Sequence, residues 1–257
     1  MTEPGYLTIS VDDGHPADLK AAELLAKYDL HATFYVPARN PEREVMSRDE
    51  IREIGGRFEV GSHTFNHLPL HDLAREQARA EIQDGKRWLE EVTGKRVVSF
   101  CYPRGKFDQT TVELVRQAEF MGARTCMFNL NGYPENPFLW GVSTQAYSHS
   151  AITQVRHALL EGNFRGLSSF FLLHRGARDW AQHFLYAVDF VERRGGVAHL
   201  YFHSWEIEEQ NHWDKMEIVL KNIAGRKRLA RVTNGELFAR WQAKHETSTG
   251  GSEGLAI

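Results

Sequence analysis

The chain has 257 residues, 42% of them hydrophobic and 25% charged, with a formal net charge of -3. That length fits one α/β barrel or two small domains, and the composition is that of an ordinary globular protein rather than a fibrous or disordered one. The small net charge gives no overall pull toward nucleic acid or an anionic membrane, so neither is expected as a partner. The one dense basic run, Arg226-Lys227-Arg228 with Arg231, reads as a solvated helix end. No basic leader with a long apolar core follows Met1, and no apolar stretch approaches bilayer length. Cys101 and Cys126 have no metal-binding spacing and suggest a reducing compartment. Cytoplasmic localisation is the expectation.

In chain order, Leu7–Val11 reads as a strand and Ala17–Tyr28 as a helix with Leu19, Ala22, Leu25 and Ala26 on one face. Residues 32–36 are β-rich and end at Pro37. Ser47-Arg48-Asp49-Glu50 has the form of a capping box opening a short helix through Ile54. Phe58–Ser62 is the next strand, and a long helix runs from Ala74 to about Thr93, stopped by Gly94. Val97–Tyr102 is a strand, Asp108–Phe120 a helix, and Phe128–Pro137 a loop rich in Asn, Gly and Pro. Then come helix Ile152–Leu160, strand Phe170–Leu173, helix Trp180–Arg194, strand Val197–Phe202, helix Lys215–Ile223 and strand Leu229–Val232. A closing helix follows a second capping box, Thr233-Asn234-Gly235-Glu236. The Ser/Gly/Thr-rich end reads as a flexible tail over 246–257, after a single domain over 1–245. Strand–helix alternation of this length predicts a mostly parallel α/β sheet, closed or nearly closed into a barrel, with its chemistry at the C-terminal strand ends.

Four motifs fall at such ends. Ser10-Val11-Asp12-Asp13-Gly14-His15 places two acids side by side; neighbouring side chains diverge, so one carboxylate can bind a metal while the other faces a bound water. In Gly61-Ser62-His63-Thr64-Phe65-Asn66-His67 the two histidines are four apart, a spacing that on a helical turn aims both imidazoles at one ion. Phe100-Cys101-Tyr102-Pro103-Arg104-Gly105 ends a strand in a tight turn whose N–H groups could face an oxyanion. In His199-Leu200-Tyr201-Phe202-His203-Ser204-Trp205-Glu206 the terminal His203 could serve as a general acid. His174, in Phe171-Leu172-Leu173-His174-Arg175, is placed similarly; His149, His157, His183, His212 and His245 read as surface or packing residues. One Asp and two His leave metal positions open for water and substrate.

These residues, in this order, resemble the polysaccharide deacetylases of carbohydrate esterase family four, the NodB-homology domain, over roughly residues 5 to 240. The resemblance implies a distorted (β/α) barrel of about seven parallel strands. It implies Asp12 as general base, Asp13, His63 and His67 as ligands of a divalent metal (most simply Zn2+), and His203 as general acid. The Arg104 backbone N–H, in the Tyr102–Gly105 turn, would help hold the oxyanion, and Trp205 would wall the acyl pocket. His203 is preferred to His174 because one helix and one strand follow it, as in the family, and because His-Ser-Trp-Glu resembles a variant of the last motif. Two departures stand out. Cys101 occupies the place of an Arg that braces the catalytic Asp, and no Asp-containing fourth motif lies between Phe128 and Ser150. The implied activity is removal of acetyl groups from N- or O-acetylated carbohydrate. The rival readings are hydrolysis of a small cyclic amide or ureide, as in allantoinase-like branches, and a barrel that binds carbohydrate without catalysis.

Overall fold

The computed structural model describes residues 4–249, with side-chain surroundings to His245. Among these residues eight strands, all parallel, form one sheet. They are β1 (Gly5–Asp12), β2 (Thr33–Val36), β3 (Glu59–Ser62), β4 (Ser99–Cys101), β5 (Gly122–Arg124), β6 (Thr144–Gln145), β7 (Gly196–His203) and β8 (Leu229–Arg231). The path β5-β4-β3-β2-β1-β7-β6 carries seven of them, and β8 lies beside β1. Around the sheet pack α1 (Asp18–Lys27), α2 (Arg48–Arg57), α3 (Arg75–Thr93), α4 (Gln109–Gln117), α5 (Ala151–Leu160), α6 (Phe164–Leu172), α7 (Trp180–Arg194), α8 (Ser204–Glu209), α9 (Trp213–Ala224) and α10 (Asn234–Thr249). This is the nearly closed parallel α/β barrel that the strand–helix alternation predicts, distorted as the family resemblance implies.

β1 is the axis. It pairs with β7 along its whole length, Gly5↔Gly196 to Asp12↔His203. Its other edge is shared: β8 takes Gly5–Leu7 and β2 takes Ser10–Asp12. The sheet path is open between β5 and β6, but an extended segment spans the gap. Trp140 N bonds Ala123 O at 3.0 Å, Thr125 N bonds Trp140 O at 2.7 Å, and Ser143 N bonds His199 O at 3.0 Å. Backbone hydrogen bonds therefore run almost continuously around the wall.

The strands are short and buried on both faces, as parallel strands covered by helices must be. Ile9, Val11, Phe34, Val36, Phe100, Leu200 and Phe202 join the inward faces of the helices in one core. Full burial of each such side chain stabilises by about 1.5–3 kcal/mol. Both capping boxes form: Ser47 with Glu50, and Thr233 with Glu236. Gly94 ends α3 in the left-handed conformation expected of a C-cap glycine.

Residues 170–173, expected as a strand, belong to α6 and the turn after it. A short apolar run cannot by itself tell a buried strand from a helix, and here Asn163 caps a helix that buries only Gly166 and Phe170. β5 and β6 are too short to leave a periodic signal. α10 continues to Thr249, so the helix takes in the start of the expected tail; 250–257 lie outside the described residues.

Candidate functional site

Register brings the strand ends level. Asp12 is the partner of both Tyr35 and His203, Val36 of Ser62, Ser62 of Phe100, and Cys101 of Arg124. Above this rim lies a pocket of about 570 Å³ lined by Asp12, Asp13, His63, His67, His203 and Trp205, among others.

Asp12 and Asp13 diverge because the chain turns sharply between them. Asp13 has φ 79° and Gly14 φ 63°. At Gly14 a Cβ would lie 2.7 Å from Val36 Cγ1, so only glycine fits. The histidine pair does not lie on a helical turn. His63 follows β3 directly and the chain to His67 is irregular, with Thr64 at φ 67° and His67 at φ 57°. α3 shapes this loop: Phe65 N bonds Glu81 O at 3.0 Å, and the Glu81 carboxylate accepts from Asn66 N and Nδ2 at 2.7 and 2.6 Å. Gly85 lets α3 approach, since a Cβ there would meet Thr64 C at 2.6 Å. Asp13, His67 and Arg104 (φ 57°) all hold left-handed backbone, the kind of local strain that collects at functional sites.

Asp13 Oδ1 lies 3.1 Å from His67 Nε2 and 3.6 Å from His63 Nε2. One ligand atom from each of the three residues falls within 4.8 Å of the others. His63 Nδ1 contacts Cys101 O at 2.8 Å, which fixes the proton there and leaves Nε2 as a lone pair. Burial, and then the His67 imidazole beside it, lower the His63 pKa to about 4, so the ring is neutral. Burial would raise Asp13, but the imidazoles of His67, His203 and His63 hold it well below the carboxylate range. Asp13 Oδ1 and His67 Nδ1 are buried without a hydrogen bond. An anionic oxygen and two imidazole nitrogens converging in this way fit a divalent cation such as zinc. Asp12, His63 and Cys101 also lie close together. They suit a cation less, because Asp12 is already ion-paired and burial pushes the Cys101 thiol up, leaving it protonated.

Asp12 is 2% exposed and is gripped by Arg124, whose Nη2 reaches both carboxylate oxygens. Arg124 is itself fully buried, set 4.5 Å from the Tyr201 ring and 5.4 Å from the Tyr35 ring, with Nη1 at 3.2 Å from Cys126 Sγ. Cys101, where an Arg is expected from the family, offers Asp12 only a thiol at 3.8 Å. Register partners on parallel strands point their side chains to the same face, so Arg124 reaches Asp12 from one strand further along. Arg124 is the residue that sequence reasoning missed.

The last motif carries its own carboxylate. His203 Nδ1 contacts Glu206 Oε2 at 2.8 Å, and Nε2 lies 4.0 Å from Asp13 Oδ2. Burial would lower the His203 pKa, but the Glu206 hydrogen bond and the Asp13 charge outweigh it, raising the value to about 9. Glu206 thus supplies the carboxylate sought in vain between Phe128 and Ser150. It is held in turn by Gln145 Nε2 at 3.1 Å, whose Oε1 contacts His149 Nε2 at 2.9 Å. Trp205 lines the pocket and also donates from Nε1 to Asp13 Oδ2 at 2.9 Å. The Arg43 guanidinium stacks over its ring at 3.9 Å.

Arg104 lines the pocket, its side chain paired with Glu42. The Tyr102 side chain does not line it; the ring is buried against Phe100 and the hydroxyl donates to Phe138 O at 3.2 Å. His174 lies away from the pocket, stacked on His183 with ring centroids 3.7 Å apart. His149 and His157, expected as surface or packing residues, line the pocket. Both come from the stretch after β6, whose path along the rim has no signature in the sequence.

Residues 1–123 match the family model for polysaccharide deacetylase. The YxkH protein of Bacillus subtilis, named as a polysaccharide deacetylase, is 24% identical over 121 residues, covering 46% of this chain but only 43% of YxkH. The chitooligosaccharide deacetylase of Azorhizobium caulinodans is 28% identical over 171 residues, covering 65% of this chain and 72% of that protein. Among solved structures, a family 4 acetyl xylan esterase from Clostridium thermocellum in complex with a cobalt ion superposes with a TM-score of 0.57. It covers 91% of both chains at 18% identity, a likeness of fold. The match takes in Asp12, Asp13, His63, His67 and Arg104 and stops one residue short of Arg124. The likeness to the polysaccharide deacetylase family is thus carried by residues 1–123, and the relatives share it at 24% and 28% identity.

Proposed function

We propose that this protein is a metal-dependent hydrolase that removes acetyl groups from acetylated carbohydrate. The observation that carries the reading is the convergence of Asp13, His63 and His67 in one pocket that also holds Asp12 and His203. The names of the relatives, a polysaccharide deacetylase and a chitooligosaccharide deacetylase, support the substrate class.

Asp13, His63 and His67 would hold the ion, with Zn2+ proposed from the donor set and Co2+ compatible with it. When bound, a divalent cation polarises the acyl carbonyl and lowers the pKa of a coordinated water. Asp12, aimed by Arg124, accepts the proton of the attacking water. The backbone N–H of Arg104, at the left-handed turn after β4, donates to the developing oxyanion. His203, kept protonated by Glu206, gives its proton to the departing nitrogen or oxygen. Trp205 serves two roles, closing one side of the pocket and orienting the Asp13 carboxylate.

The test is acetate release from N-acetylated sugar oligomers and acetylated xylan by the zinc-reconstituted protein, alongside Asp12→Asn. The variant should bind zinc as the wild type does and lose turnover by about 10²–10⁴. Turnover unchanged in Asp12→Asn would remove Asp12 as the base. Absence of acetate release from every acetylated sugar would remove the substrate class.

A further inference from the structure

Among the described residues nine large hydrophobic side chains are exposed, and seven of them lie between Tyr147 and Leu172. α5 presents Ile152, Leu159 and Leu160, and α6 presents Phe164, Phe171 and Leu172; Ile152 and Leu172 are more than four-fifths exposed. On α5, Ile152, Val155, Arg156 and Leu159 follow the i, i+3, i+4, i+7 spacing and line an apolar groove. Elsewhere in the fold such a stripe is buried against the sheet. Here it faces outward.

Charge runs opposite to that of the chain as a whole. Residues 147–178 carry four arginines, Arg156, Arg165, Arg175 and Arg178, against one acid, Glu161, in a protein whose net charge is -3. All four arginines are exposed, and among the described residues none forms an ion pair. Arg48, Arg52, Arg87 and Arg116, on α2, α3 and α4, do pair with acids.

We propose that the α5–α6 pair is a docking surface for the anionic face of a lipid bilayer. Exposed Leu, Ile and Phe beside unpaired arginines is the arrangement of helices that lie in the membrane interface. The apolar side chains enter the headgroup region while the guanidiniums remain among lipid phosphates. A second copy of the chain fits less well, because a two-fold contact through the same patch would bring like-charged arginines together. Leu160 belongs both to the groove and to the catalytic pocket, which His157 and Glu161 also line. A bilayer against α5 therefore lies at the rim of the pocket. Net charge had given no reason to expect a membrane partner; the local distribution supplies one, without any helix among the described residues long and apolar enough to cross.

The experiment is co-sedimentation of the full chain with extruded vesicles of phosphatidylcholine alone or with about one third phosphatidylglycerol. Vesicle binding does not depend on the deacetylase reading and can fail or succeed apart from it. Wild type should pellet with the anionic vesicles, and binding should fall as salt is raised. Ile152→Glu/Leu159→Glu and, separately, Arg156→Glu/Arg165→Glu should weaken it by about tenfold or more. Ile218→Glu, which changes an exposed apolar side chain on α9, should leave binding unchanged. Thermal melts by circular dichroism would confirm that the variants are folded. No binding to anionic vesicles, equal binding to both vesicle types, or loss of binding in Ile218→Glu would overturn the proposal. So would a concentration-dependent dimer by light scattering that the α5 variants abolish.

Discussion

Replacing Arg124 by Gln tests the link between the fold and its chemistry most directly. The guanidinium is fully buried and spans both oxygens of Asp12, which is 2% exposed. Without it, the carboxylate keeps, among the described residues, one hydrogen-bond partner, the Cys101 thiol at 3.8 Å. Removing one partner of a buried ion pair strands the other charge and costs about 3–5 kcal/mol, a large part of the roughly 5–15 kcal/mol that stabilises a typical domain. Arg124→Gln should therefore lower the unfolding free energy obtained from urea melts by that amount. Where the protein remains folded, kcat should fall by about 10²–10⁴, the usual worth of a general base, with KM little altered. Because Cys101 and Arg124 are register partners, a guanidinium can also be offered from the neighbouring strand. Cys101→Arg combined with Arg124→Cys should recover much of both losses. Wild-type kcat in Arg124→Gln, or no recovery in a well-folded exchange variant, would refute the assignment of Arg124 as the brace.

Glu206→Gln should move the alkaline limb of the kcat–pH profile down from near pH 9, since the carboxylate is what holds His203 protonated there. In the wild type the raised His203 pKa contributes stability that is complete below 6.5 and lost as pH rises through about 9; urea melts of the variant should lack that loss. Asp18 is buried with neither oxygen hydrogen-bonded, and burial raises its pKa well above 3.8. A carboxyl raised in the folded state costs nothing below 3.8 and progressively more as pH rises toward its folded value, so Asp18→Asn should raise stability at pH 7 by about 1–3 kcal/mol and leave it unchanged below pH 3.8. Gly85→Ala should push α3 off the His63–His67 loop, where a Cβ has 2.6 Å to Thr64 C. Zinc affinity measured by calorimetry should drop by about 10–100-fold, as for other changes behind a ligand, and unaltered affinity would show that the loop is held by Glu81 alone.

How much of this was legible in the sequence depended on length of signal. β1, β7 and the long helices carry apolar periodicity over eight residues or more, and their ends fall within a few residues of expectation. The acid pair and the histidine pair were visible because both partners are close in sequence. The irregular path from His63 to His67 was not, since it depends on Glu81 and Gly85, more than ten residues further along the chain. Arg124 lay hidden in a three-residue strand, and its partner is 112 positions distant. An arginine two residues before a cysteine, after a Gly-Ala pair, carries no signal without the register that places it opposite Cys101. Residues 170–173 misled for the opposite reason: their apolar side chains belong to a helix that turns several of them outward.

Residues 203–206 carry a further lesson for anyone redesigning the barrel. The imidazole proposed as proton donor, the indole that tethers Asp13 and the carboxylate bonded to that imidazole all leave one turn at the start of α8. Four consecutive residues thus form a cassette whose parts bond one another and Asp13, with Gln145 as the outside support of Glu206. Substituting it whole is a smaller perturbation than changing one member. A half-exchanged cassette strands either a charged imidazole or an untethered ligand, and activity should be regained only when the set is complete.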